Sequence, residues 1–198
     1  MRKGGLEGGS VKYLIVAEAY RDLEQASGRL VLIERMAELV TQTPAELLPT
    51  VCYLCQGQIA PEFAGIDLGL AEKMAIRALA AATGTETAQV AAYVRETGDL
   101  GQAAEQLLAE TVPAEPVLAE TGAGRAASLE VVAVVRTLRQ IAAAEGQGSQ
   151  GRKLELMAGL LGQATPLEAR YLLRLVTGNL RLGIGTPTIL DALAQVYA

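Results

Sequence analysis

The sequence predicts an all-α fold, a compact multi-helix domain with an internal pseudo-two-fold repeat. Hydrophobic residues make up 51% of its 198 residues, with one Phe and no Trp, and their richness in Ala, Leu and Val favours helices over sheets. Apolar residues recur at helical spacing along most of the chain, and no segment has a convincing strand pattern. Two distant segments also carry nearly the same series of motifs, which indicates a duplicated helical unit.

Apolar periodicity and cap residues predict the helices in chain order. They cover residues 11–25, 29–41, 69–83, 85–96, 99–110, 128–144, 151–163, 166–178 and 187–197, and one more begins at Thr43. We expect residues 1–10 to form a flexible, glycine-rich N-terminus and residues 11–198 to form one domain. Residues 111–127, with two prolines and two glycines, are predicted to be a surface loop within it.

Two Thr-Pro-x-Glu sequences, at residues 43–46 and 165–168, predict helix starts closed by capping boxes. In each, the Thr hydroxyl can accept a bond from the Glu backbone, the Pro suits the first helical position, and the Glu carboxylate can return a bond to the Thr backbone. Asp99 and Gln102 have the spacing of a third such box.

The same two sequences head a longer repeat. Each is followed by Tyr-Leu and then by Leu-Gly, and each is preceded by a short Ser/Gly/Arg segment. The offset between the copies falls from 122 residues at Thr-Pro to 114 at Leu-Gly, so the first copy has a longer final loop. We expect repeat halves at about 11–84 and 128–198. Their two similar surfaces would suit a ligand with a two-fold related backbone, such as duplex DNA.

The segment 178–185, Gly-Asn-Leu-Arg-Leu-Gly-Ile-Gly, is the first candidate binding site. Its glycines allow a ligand to approach the backbone closely, and the start of the following helix attracts anions. The candidate phosphate contacts are Gly178, Asn179, Arg181 and Gly183, and the echo of this turn in the first copy adds Gly69 and Lys73. A plain helix end followed by an ordinary turn is the structural alternative.

The segment 146–153 is the second candidate. Glycines flank Ser149, which we expect to cap a helix, and two cations follow in the first turn, where they oppose the helix dipole. Cations in the first turn of a helix depart from the usual charge preference without a structural benefit, and such departures often mark functional sites. The candidates here are Gly148, Ser149, Arg152 and Lys153, with Ser27 and Arg29 as their counterparts in the first copy. Because the Gly-Lys-[Ser/Thr] of a P-loop is missing, we expect a phosphodiester backbone rather than a nucleoside triphosphate.

The charge distribution bears on the prediction that the chain binds nucleic acid. A net charge of −5 argues against nucleic acid at first. However, residues 125–198 hold eight Lys/Arg against five Asp/Glu, whereas residues 1–124 hold nine against seventeen. Arg outnumbers Lys thirteen to four, and Arg suits bidentate phosphate contacts. The last third of the chain is therefore the more basic part.

No catalytic residues are predicted. The sequence has no His, which removes Ser-His and Cys-His catalytic pairs and any His-bearing metal site. It also has no Lys-x-Asp-Gly, no paired carboxylates near a cleft signal, and no nucleophile with a base. We therefore expect no metal, no cofactor and no catalytic machinery in this chain.

Cys52 and Cys55 form one Cys-x-x-Cys pair. Core thiols are the simpler interpretation, and a redox protein is the alternative, although a thioredoxin-like motif needs a βαβ context that the pattern lacks. No apolar stretch approaches the roughly 18–20 residues that span a bilayer, and the N-terminus lacks the apolar region of a signal peptide. We therefore expect a cytoplasmic location.

Four stretches in order resemble the N-terminal DNA-binding domain of ATP-dependent DNA ligases, of the kind shared by archaea and eukaryotes. They are residues 68–84, 97–101, 146–153 and 166–183. Their order and spacing also fit, and the similarity covers roughly residues 11–198.

The resemblance implies a helical domain that grips the minor groove on both sides of a nick without reading sequence, in DNA replication, repair and recombination. In such ligases the nucleotidyltransferase and OB-fold domains that follow supply the adenylated lysine, ATP and Mg²⁺. This chain would then be a fragment of a larger ligase and inactive alone. Its expected partners are nicked double-stranded DNA and those two domains, with a sliding clamp as a further candidate.

The predicted DNA contacts fall into two classes. Phosphates are expected at Arg29, Lys73, Arg152, Lys153 and Arg181. Backbone N–H groups or short polar side chains are expected at Ser27, Gly69, Gly148, Ser149, Gly178, Asn179 and Gly183. The alternative function is a non-catalytic helical protein-interaction module, which would present an exposed apolar groove.

Overall fold

The computed structural model describes residues 10–66, 68, 70–111 and 128–198. Over this part of the chain the protein is all-α, as predicted, with ten α-helices, one 3-10 helix, and no β-structure beyond an isolated bridge between Lys12 and Glu130. The helices are α1 (Tyr13–Gln25), α2 (Arg29–Thr41), α3 (Leu48–Cys55), α4 (Glu72–Thr83), α5 (Thr87–Thr97), α6 (Leu100–Thr111), α7 (Val131–Ala143), α8 (Ser149–Gln163), α9 (Pro166–Val176) and α10 (Thr186–Tyr197), with the 3-10 helix at Glu62–Ala64.

Most helix ends lie within a few residues of their predicted positions. Gly84 and Gly98 end α4 and α5 in the left-handed conformation, with φ of 70° and 69°, which glycine adopts without a Cβ penalty. None of the ten helices in the described ranges has the length and low polarity needed to cross a bilayer. The predicted flexible N-terminus and surface loop fall outside the described residues, except for Ser10 and Thr111.

The predicted helix start at Thr43 is wrong. Residues 44–47 form a turn, and α3 begins only at Leu48. The Thr43 hydroxyl donates to the Leu39 carbonyl at 2.7 Å and is buried. That bond satisfies an orphan carbonyl at the end of α2, so the hydroxyl closes the preceding helix instead of capping the next one.

The second copy of the motif forms the predicted capping box at the start of α9. The Glu168 backbone N–H donates to Thr165 Oγ1 at 3.3 Å, and the Glu168 carboxylate accepts from the Thr165 backbone at 2.8 Å. The same buried carboxylate also accepts from the Ser128 hydroxyl at 2.8 Å and the Leu129 N–H at 3.0 Å. Glu168 therefore ties the segment before α7 to the start of α9.

Helix α9 lies at the centre of the core. Eight of its eleven residues are buried, and it packs against α6 and α1. At the crossing with α6, a Cβ added to Gly101 would lie 2.6 Å from the Arg170 carbonyl oxygen. Glycine at this position therefore permits the close approach of the two helices.

Two arginines of α9 bind carboxylates from neighbouring elements. Arg174, whose side chain is 8% exposed, bonds Asp99 at 2.7 Å and also Glu24 of α1. Arg170 bonds Glu24 at 3.2 Å and Glu105 of α6 at 2.9 Å. Asp99 also caps α6 by accepting from the Gln102 N–H at 2.9 Å. This network links α1, α6 and α9 on one side of the core.

The helices of the two copies pair crosswise. Helix α2 packs against α10, and α4 packs against α8. Each copy thus contributes its second helix, α2 or α8, to one pair and its last helix, α4 or α10, to the other. This arrangement is compatible with a two-fold related repeat, and the repeat itself stays a prediction.

Candidate nucleic-acid interface

The two glycine-rich turns that carry the first candidate site lie next to each other. The Leu70 N–H donates to the Val176 carbonyl at 2.9 Å, which joins the turn before α4 to the end of α9. Leu70 and Leu182 are both buried and anchor their turns in the core. We call this meeting point the junction, defined by residues 70–73 and 177–185. Gly69 lies outside the described residues.

The 178–185 turn keeps its candidate contacts at the surface. Gly178 and Gly183 have φ of 70° and 69°, which disfavours any side chain there. The Asn179 N–H donates to the Arg174 carbonyl at 2.7 Å, and the Asn179 side chain donates to Thr177 Oγ1 at 3.2 Å. Gly178, Asn179, Arg181 and Gly183 are exposed. The turn is therefore fixed by its own bonds while it remains open to a ligand.

A surface cavity of about 330 Å³ opens at the junction. Arg174, Arg181, Glu72 and Asp99 line it together with Asn179. Burial alone would raise the pKa of Asp99, but hydrogen bonds from Arg174 and from backbone N–H groups outweigh it and hold that pKa below its usual range. Because Arg174 is already bound by carboxylates, Arg181 is the cation that remains for an anionic ligand among the described lining residues.

Lys73 is the second residue of α4 and is exposed. It therefore lies at the junction, beside Glu72 in the same first turn. A carboxylate is favoured near a helix N-terminus, so Glu72 competes with an external anion there. This role of Glu72 was not predicted from the sequence.

The start of α2 is in contact with the middle of α10. Arg29 Nη2 contacts Asp191 Oδ2 at 2.7 Å, and Asp191 is the sixth residue of α10. Thr41 and Gln195 line one surface groove near the ends of the two helices. Since α10 directly follows the 178–185 turn, this ion pair links the start of α2 to the helix that follows the junction. Ser27 and Arg29 are exposed at the start of α2. Asp191, which pairs with Arg29, was not among the predicted site residues.

The second candidate segment has a different cap from the one predicted. Gly148, with φ of 82°, is the N-cap of α8, and Ser149 is the first helical residue and makes no side-chain cap bond. Gly148 and Arg152 are exposed, whereas Ser149 and Lys153 are half-buried. Helix α8 packs against α4, but no hydrogen bond or ion pair among the described residues joins residues 148–153 to the junction.

The two cysteines give no support to the redox alternative. Cys55 is buried and Cys52 is half-buried on α3. Burial raises the pKa of both thiols. A reactive cysteine needs the opposite shift, toward the thiolate, so the interpretation as core thiols fits better.

Comparison with known proteins shows that the chain is similar to part of several DNA ligases. The family described as "DNA ligase N terminus" matches residues 12–194. The chain is 42% identical over 191 residues to DNA ligase 2 of Thermofilum pendens, covering 96% of the chain and 31% of that protein. It is 43% identical over 187 residues to a probable DNA ligase of Aquifex aeolicus and 41% over 189 residues to a DNA ligase of Acidianus ambivalens. In both cases the match covers 94% of the chain.

The chain spans about 30% of the length of these relatives. The matched region includes the junction, the start of α2 and the start of α8. The all-α fold and the resemblance stated from the four sequence stretches agree with this match. The chain belongs to the DNA ligase N-terminus family.

Proposed function

We propose that this chain binds duplex DNA through the minor groove and the phosphate backbone around a nick, without reading base sequence. It would do so as the N-terminal domain of an ATP-dependent DNA ligase that seals nicks in DNA replication, repair and recombination. Support comes from the family match over residues 12–194. The relatives are named as DNA ligases, and the chain corresponds to about 30% of their length.

The observation that carries the proposal is the bond between Leu70 and Val176. It brings the start of α4 to the 178–185 turn, which in turn leads into α10. Helix starts and exposed glycine backbone bind phosphate oxygens, and Arg181 adds a guanidinium. Contacts of this kind position a protein on DNA without specifying sequence, which suits an enzyme that must seal any nick.

The remaining parts of the proposed ligase lie outside this chain. The sequence has no Lys-x-Asp-Gly, so we infer that the adenylated lysine, ATP and Mg²⁺ belong to nucleotidyltransferase and OB-fold domains of the parent protein. Those domains and a sliding clamp are the proposed protein partners. The chain alone should therefore bind DNA but not ligate it. The cytoplasmic location stays a prediction.

The first test is the salt dependence of binding to a nicked duplex. If about five phosphates are neutralised, log K should fall with log salt at a slope near −4.5. Arg181→Ala should flatten that slope by about 0.9 and weaken binding similarly on duplexes of different sequence. Fluorescence anisotropy at several salt concentrations measures both quantities. A flat salt dependence of the wild type, or a loss confined to one sequence, would contradict the proposal.

A protein-interaction module is the second candidate function, and one groove favours it. The groove has a volume of about 780 Å³ and lies between α7 and the turn before α3. Leu47, Val132 and Val135 form its apolar floor, and Arg136 and Arg139 border it. Failure of nicked DNA to bind even at low salt would favour this function over DNA binding.

A further inference from the structure

We propose that Leu30, with Val31 beside it, packs against deoxyribose in the minor groove next to the phosphate held by Arg29. This contact would make the site selective for DNA over duplexes that contain ribonucleotides. The inference rests on the proposed function and adds a specificity-determining residue to it.

An exposed apolar pair lies at the start of α2. Leu30 is 82% exposed and Val31 is 38% exposed. The buried face of α2 is formed further along by Met36, Ala37, Leu39 and Val40. Leu30 therefore contributes little to the core, although single exposed apolar residues are common and need no explanation by themselves. Its position is the stronger argument.

Leu30 follows directly on the predicted phosphate contacts of the first copy. Gly28, with φ of 95°, is the N-cap of α2, and Ser27 and Arg29 are exposed around it. The first turn of α2 contains no acidic residue. Leu30 is the second residue of α2, so its side chain borders the same helix start at which Arg29 would hold a phosphate.

Three other exposed apolar residues lack this setting. Phe63 lies in the 3-10 helix and Ile66 lies two residues after it, between Glu62 and Asp67 in the sequence, and carboxylates there would repel a phosphate backbone. Tyr197 is 63% exposed at the far end of α10, away from the helix starts.

Leu190 is 58% exposed on α10, but it directly precedes the carboxylate of Asp191. Within the described part of the chain, Leu30 and Val31 are therefore the exposed apolar residues that directly follow a cation at a helix start, and that cation, Arg29, is in contact with Asp191.

The sugar chemistry supplies the selectivity. The C2′ of deoxyribose carries only hydrogen, and apolar side chains are a recurrent means of binding the minor groove. In a ribonucleotide the 2′-hydroxyl lies in that groove. Pressed against Leu30, this hydroxyl would lose water without gaining a hydrogen-bond partner, which is unfavourable. Leu30 would therefore accept deoxyribose and disfavour ribose.

The test compares two nicked duplexes of the same base sequence. One consists entirely of DNA, and the other contains a few ribonucleotides beside the nick. Few replacements keep the overall helix shape similar. The full 198-residue chain should prefer the all-DNA duplex by about tenfold. Leu30→Ala should weaken binding to DNA by about fivefold without changing the salt slope, because an apolar contact releases no counterions. Leu30→Ser, which can bond a 2′-hydroxyl, should bring the two affinities close together.

Two variants serve as controls. Tyr197→Ala removes an exposed apolar side chain at the other end of α10 and should change neither affinity nor preference. Arg29→Ala should weaken binding to both duplexes alike and flatten the salt slope. Wild-type preference and affinity retained in both Leu30 variants would overturn this inference alone. Salt-independent or absent binding by the wild type would overturn the proposed function as well.

Discussion

Asp191 partly neutralises the positive charge that Arg29 offers to a ligand. The two side chains are in contact at 2.7 Å, yet both remain largely exposed, at 66% and 46%. An exposed ion pair of this kind contributes about 0–1 kcal/mol. A phosphate can therefore replace the carboxylate at small cost, and Asp191 acts as a weak competitor within the proposed interface.

We expect Asp191→Asn to strengthen DNA binding by about two- to fivefold at low salt, since it frees Arg29 and removes a repulsive charge. The salt slope should become steeper by up to about 0.9. Anisotropy titrations across salt concentrations measure both. Glu18→Gln removes one exposed carboxylate from α1, outside the predicted contacts, and should have a smaller effect. Equal gains in the two variants would show that only net charge matters.

At the scale of the helix, the crossing of α6 and α9 depends on the absence of a side chain at position 101. Gly101→Ala would place a Cβ 2.6 Å from the Arg170 carbonyl oxygen and 2.9 Å from Arg174 Cγ. Overpacking of this kind costs about 1–3 kcal/mol, more than the roughly 1 kcal/mol that alanine adds to a helix interior. Chemical denaturation should therefore show a less stable variant.

Gly159→Ala is the matched control for that experiment. Gly159 lies in the middle of α8, and a Cβ there would meet nothing within 4 Å. The same substitution should therefore leave the free energy of unfolding unchanged or raise it by up to about 1 kcal/mol. If both variants gained stability, the close approach of α6 and α9 would be wrong.

The helices also show where sequence reasoning succeeds and where it fails. Apolar periodicity predicted most helices because the core face of a helix is a local pattern. The Thr-Pro-x-Glu motif predicted the start of α9 correctly. At Thr43 it predicted a helix start that is absent, although the two sequences are nearly the same. The difference is tertiary: the Thr43 hydroxyl is taken by the Leu39 carbonyl, whereas Glu168 gains buried partners at Ser128 and Leu129.

At the scale of the molecule, the site was only partly predictable. The segments 70–73 and 177–185 do lie together at the junction, and the roles of the candidate contacts within them stay predictions. The partners that modify the site could not be seen in the sequence. Asp191 is 162 residues from Arg29, and Asp99 is 75 residues from Arg174. Such pairs depend on the packing of helices, which no local motif encodes.

The ion-pair network predicts how the whole domain responds to acid. The lowered pKa of Asp99 means that its contribution to stability is present above the unfolded pKa of about 3.9 and is lost as pH falls through the folded value. Asp99→Asn should therefore lower the free energy of unfolding by about 2 kcal/mol near pH 7. It should also weaken the dependence of stability on pH below about 4.

Urea denaturation at several pH values measures this difference. Asp22→Asn is the control, because the Arg21–Asp22 pair is exposed and worth little. A parallel fall of stability with pH in wild type and Asp99→Asn would contradict the assignment.

The hydrogen bond from Leu70 to Val176 spans more than half of the polypeptide. A nascent chain emerging from the ribosome cannot close that bond until its later portion has been synthesised. The proposed interface can therefore form only after residue 176 has been synthesised.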